Sequence, residues 1–118
     1  MKIVSPSTEK YLDQMVECQF KMAMESEELK LDKEVLKKGI LEVITNPQRG
    51  KYYIALADDE LIAMLLTIPE WSDWRCKEVL WIHSVYVLPA HRKKGVYTSM
   101  YSHLKNLVLS NSTYAGLR

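Results

Sequence analysis

Residues 85–101 read VYVLPAHRKKGVYTSMY. An apolar run, Val85 to Leu88, meets Pro89 and crosses His91, Arg92, Lys93 and Lys94 to reach Gly95. Beyond it, Tyr97, Met100, Tyr101 and Leu104 recur at helical spacing. The layout is a strand, a basic turn and a helix. A helix start leaves its first N–H groups unpaired, and its dipole adds positive potential, so that end favours an anion. Gly95 lets a ligand approach the backbone with no Cβ in the way, and Arg92, Lys93 and Lys94 add charge around the same point. The spacing matches neither GxxxxGK[ST] nor GxGxxG, which excludes a P-loop and a dinucleotide turn. A phosphate cradle of another kind and a solvated basic helix start both remain open.

Upstream, the pattern alternates between helical and extended texture. Lys2–Val4 is a short strand ended by Ser5-Pro6. Ser7 or Thr8 is expected to cap a first helix carrying Leu12, Met15, Val16, Met22 and Ala23. Asp32 is expected to cap a second, with a stripe of Val35, Leu36, Ile40, Val43 and Ile44, ended at Asn46-Pro47 because proline disfavours a helical residue before it. Residues 51–57 and 61–68 are nearly continuous apolar runs around Asp58-Asp59-Glu60, as in a hairpin covered on both faces. Pro69 is expected to end the second run before EWSDWRC, a loop with two tryptophans. Residues 79–88 form the longest strand, 96–108 a helix, and 114–117 a last strand. The order β-α-α-β-β-β-α-β specifies an α/β domain with a mixed sheet.

The 118 residues are 47% hydrophobic, enough for one domain with a core, and the formal charge is +1. So small a charge argues against a nucleic-acid binder built on HRKK and against membrane attraction. Cys18 and Cys76 are too few for a disulfide scaffold and lack metal-ligand spacing, so no metal site is expected and both read as reduced thiols. With no signal-peptide run and no segment of membrane-spanning length, a cytoplasmic location is expected.

Val87-x-Pro89-x-x-Arg92-x-x-Gly95 resembles motif A, V-x-P-x-x-[RQ]-x-x-G-x-[GA], of the GNAT superfamily of acyl-CoA-dependent N-acetyltransferases. MAMESEELKLD, EWSDWR, WIHSVYV and AGLR are similar to the matching stretches of a bacterial subgroup, and the element order is that of the GNAT fold up to its fifth strand. The resemblance implies acetyl-CoA as cosubstrate. Its pantetheine arm would pair with the backbone of Val85, Tyr86 and Val87, with an N–H near Val85 stabilising the oxyanion. Its pyrophosphate would rest on the amides of Lys93, Lys94, Gly95, Val96, Tyr97 and Thr98, with Arg92 starting the turn. Tyr97 replaces the family's final small residue. The chain ends at Arg118, inside what resembles the fifth strand, and the family's next helix, which carries a thiolate-protonating tyrosine, has no counterpart here. An unpaired outer edge on that strand would favour a homodimer.

The acceptor amine must lose a proton, which calls for a base. His83 falls where serotonin N-acetyltransferase-like members carry a working histidine, on an expected sheet face with Trp81, Val85 and Val87; a half-buried histidine bonded to a neighbour is the alternative. Glu25 would be a second base or a ligand for the substrate ammonium. Trp71 and Trp74, beside acids, would cage the amine or simply cover the sheet end. Acetyl transfer to a primary amine of a small molecule or protein is therefore expected, a non-catalytic CoA-binding module or an inactive fragment being the alternative.

Overall fold

The computed structural model describes residues 1–118. It contains β1 (Lys2–Val4), α1 (Leu12–Glu27), α2 (Lys33–Thr45), β2 (Lys51–Ala57), β3 (Glu60–Ser72), β4 (Lys77–Val87), α3 (Val96–Ser110) and β5 (Tyr114–Leu117). The five strands lie in one sheet in chain order. β1 to β4 pair antiparallel, and β5 pairs parallel to β4 after the α3 crossover. The mixed α/β architecture is the one expected from the sequence.

The doubly buried strands explain the two layers. Along β2, Tyr52, Ile54 and Leu56 face the helices α1 and α2, packing with Leu12, Met15, Val16 and Ile40. The alternate residues Tyr53 and Ala55 face α3, packing with Val96, Met100 and Leu104. A period of two thus feeds two cores from one strand. Asp58 and Asp59, at φ 51° and 63°, form the two-residue turn that joins β2 to β3. Asp32 caps α2 by accepting from the N–H groups of Glu34 and Val35, and α2 ends at Thr45, before Asn46-Pro47.

Three expectations change. Neither Ser7 nor Thr8 caps α1: Thr8 Oγ1 accepts from the Lys10 N–H in a preceding turn, and the helix starts at Leu12 with no side-chain cap. Val35 lies outside the apolar stripe of α2, 65% exposed. Pro69 does not end β3, which runs on to Ser72 with Pro69 opposite Leu80. The pairing with β2 stops at Thr67, so beyond it one side of β3 is an open edge. Open edges are where a residue without an N–H is tolerated. Glu70 and Trp71 therefore belong to a strand rather than to a loop.

Candidate active site

The decisive irregularity is in β4. Leu66 pairs with Ser84 and Thr67 with Ile82, which leaves His83 as an extra residue, a β-bulge. Before the bulge, the Ile82 N–H donates to the Arg118 carbonyl and the Arg118 N–H to the Leu80 carbonyl, so even-numbered residues face β5. After it, the Leu88 N–H donates to Ile62 across in β3. Alternation then turns the peptide groups of Val85 and Val87 away from β3. No strand meets them there, because the β4–β5 ladder is confined to the first half of β4. The bulge thus decides that the peptide groups of Val85 and Val87, rather than those of Ser84 and Tyr86, point to that edge.

The bulge also overturns the expected face of His83. Leu80, Ile82, Val85 and Val87 all contribute to the α3 side of the sheet, a set that spans the bulge with a step of three. His83 instead borders a shallow cavity with Trp81, Ile68, Pro69 and Glu70. It shares a face with Trp81, as expected, but not with Val85 or Val87. Its side chain is exposed and makes no hydrogen bond within the protein, so the half-buried, bonded alternative does not hold either.

Opposite the open edge stands the cradle. Lys93 (φ 62°) and Gly95 (φ 79°) are both left-handed, and Gly95 occupies the N-cap position of α3. The helix makes its first backbone bond from the Ser99 N–H to the Gly95 carbonyl. Consequently the six consecutive N–H groups of residues 93–98 have no partner within the protein. A Cβ on Gly95 would meet no protein atom within 4 Å, so the space beside it is open. The groove between edge and cradle measures about 710 Å³ and is lined by Val85, Tyr86, Val87, Arg92, Lys93, Gly95, Val96, Tyr97 and Thr98, together with His91. Lys94 alone among the expected residues does not line it. His91 was missed because a histidine beside three basic residues reads as part of a solvated turn. Tyr97, 43% exposed, packs its ring against Tyr101 with centroids 6.3 Å apart, which leaves its amide free.

Arg92 behaves differently from its neighbours. Its Nε donates to the Val87 carbonyl at 2.8 Å and a terminal nitrogen donates to Glu25 Oε2 at 2.9 Å. Its guanidinium lies 5.2 Å from the centre of the Tyr86 ring. This side chain is part of the groove wall, held at two of its three nitrogens. Glu25 is held below the usual carboxylate range, first by the hydrogen bond from Arg92. A base needs the opposite shift, so its expected role as a second base is not what this geometry provides. The Tyr86 hydroxyl is buried without a partner; burial, then the neighbouring Glu25 carboxylate, pushes it up to about 12.

Trp71 and Trp74 are not brought to this site. Trp71 pairs with Glu78, seven residues before Val85, which at ~3.3 Å per residue puts it roughly 20 Å away along the strand. Trp74 is 92% exposed in the β3–β4 turn. The two border a separate surface depression with Asp73, Arg75 and Arg118.

A sequence-family model, the Acetyltransferase (GNAT) family, matches residues 11–115. The chain belongs to that family. A possible acetyltransferase from Clostridium difficile 630 superposes with a TM-score of 0.90 at 32% identity, over 99% of this chain and 76% of its own. Two more distant structures share the fold. The ribosomal-protein-alanine N-acetyltransferase from Brucella melitensis biovar Abortus 2308 gives a TM-score of 0.79 at 13% identity, over 99% and 78%. An aminoglycoside acetyltransferase, meta-AAC0020, from an uncultured soil metagenomic sample gives 0.74 at 15%, over 99% and 74%. No curated protein matches the chain in sequence. Membership supports acetyl transfer as the chemistry of this GNAT domain, and the family generally uses acetyl-CoA. No helix is long and apolar enough to cross a membrane.

Proposed function

We propose that this GNAT domain transfers the acetyl group of acetyl-CoA to a primary amine. The observation that carries the reading is one continuous groove with two complementary walls: six unpartnered amides on one side and an unpaired strand edge on the other. A row of free N–H groups at a helix start suits a pyrophosphate, which can accept from several at once. An unpaired strand edge suits an extended chain of amides such as pantetheine, which adds itself like a strand. Because Arg92 occupies the Val87 carbonyl, pairing on this edge falls to the peptide groups of Val85 and to the Val87 N–H.

In this reading the Val85 N–H donates to the acyl oxygen as negative charge builds there. The acceptor nitrogen attacks the acyl carbon, the C–S bond breaks with its electron pair leaving on the CoA thiolate, and the amine proton passes to His83. Its position two residues before Val85, on a bulge that exposes it, supports that assignment. Nitrogen acceptors are consistent with the named activity of the Brucella neighbour, a likeness of fold only. Neither tryptophan is needed for acceptor binding at this point.

The test is calorimetric titration with acetyl-CoA, followed by thiol release from acetyl-CoA across a panel of primary amines. Micromolar binding and amine-dependent thiol release are expected. Binding without release on any amine would leave a CoA-holding module, and no binding would refute the reading altogether.

A further inference from the structure

We infer that Glu25 is a positioning residue for the acyl-donor groove, acting through Arg92 on the Val87 peptide rather than on any acceptor amine. The inference deepens the reading above and rests on it. Glu25 sits in the last turn of α1, and Arg92 opens the cradle 67 residues later. Arg92 makes three engagements at once. Nε holds the Val87 carbonyl, the terminal nitrogen holds Glu25, and the guanidinium plane lies over Tyr86, the residue between Val85 and Val87. A planar fork performs this; a point-charge ammonium cannot span both oxygens.

The consequence falls on the open strand edge. The Val87 carbonyl is the one acceptor of that edge that the protein itself occupies, and the same peptide donates its Leu88 N–H to Ile62, so the 87–88 plane is held from both sides where the edge meets the cradle. A free guanidinium would have many rotamers and would leave the Val87 carbonyl open on that edge. Glu25 removes both liberties by anchoring the far end of the fork. The pair is itself half exposed, 45% and 44% of each side chain, so its direct stabilisation of the fold is small. A role in stability alone is therefore a poor account of a contact that also sets the groove wall. The other charged and titratable groups nearby are Lys21, which favours the Glu25 anion, and the buried thiol of Cys18, pushed up to about 11 by burial and so neutral. Neither hydrogen-bonds to Arg92.

Two halves of the ligand separate this from a general defect. The probes are acetyl-CoA and adenosine 3′,5′-bisphosphate, which lacks the pantetheine arm. Glu25→Gln keeps the shape but loses the charge, and Arg92→Lys keeps the charge but loses the fork. Each should weaken acetyl-CoA about 5- to 20-fold while changing adenosine bisphosphate binding less than about twofold. Glu27→Gln, a neighbouring acid with no partner, should change neither. Thermal melts of all variants should stay within ~2 °C of the parent. Unchanged acetyl-CoA affinity in Glu25→Gln, or equal weakening of both probes, would overturn the inference. An unmodified protein that binds neither probe would instead sink the underlying reading of the groove.

Discussion

Replacing Gly95 separates the two things this glycine does. At φ 79° and ψ 12° it is left-handed, a conformation that costs an ordinary L-residue ~1–2 kcal/mol and asparagine less. Because a new Cβ meets no protein atom within 4 Å, no clash adds to that. With an unfolding entropy of about 2.1 cal/mol/K per residue, 118 residues give ~250 cal/mol/K. Gly95→Ala should then melt roughly 4–8 °C lower, and Gly95→Asn by no more than about half that. Binding should follow a different order. The added carbon stands at the groove wall among amides 93–98, and displacing one charge-assisted hydrogen bond costs ~1.5–3 kcal/mol, or about 10- to 150-fold. Both variants should lose at least tenfold in acetyl-CoA affinity by calorimetry, the better-folded asparagine variant no less than alanine. If Gly95→Asn bound acetyl-CoA like the parent, the amide row would not be the pyrophosphate site.

Tyr97→Ala removes a side chain that packs on Tyr101 while leaving its N–H in place, so acetyl-CoA affinity measured the same way should change less than about threefold. His83→Gln should leave the melting temperature unchanged, since the side chain is exposed and unbonded; amine-dependent thiol release at neutral pH should fall ~100-fold or more if it is the base. Asp32→Ala strips the acceptor for the Glu34 and Val35 N–H groups and should cost ~1 kcal/mol, a fall of about 4 °C in a calorimetric scan.

Much of the fold was readable because it follows from short-range patterns. Strand β2 and strand β5 have the expected limits, and α2 has its expected cap. The failures share a cause. Whether Pro69 ends a strand depends on whether β2 still runs beside it, and the β2 ladder stops at Thr67. Whether Ser7 caps a helix depends on where the chain must turn to reach the sheet. Neither condition is local.

For the site, the sequence by itself determined the cradle. A glycine at the N-cap of α3 and the unpaired amides around it follow from consecutive residues, and the resemblance to motif A points to the same place. Only the tertiary structure decided the rest. The bulge at His83 arises from the register of two paired strands, and it turns Val85 and Val87 toward the groove while moving His83 to another face. The tie between Glu25 and Arg92 joins positions 67 residues apart. The Arg92 contact holds the Glu25 carboxyl below the usual range, the opposite of the shift a base needs. Residue type announces what chemistry is available, but partner and direction are set by which segments the fold brings together.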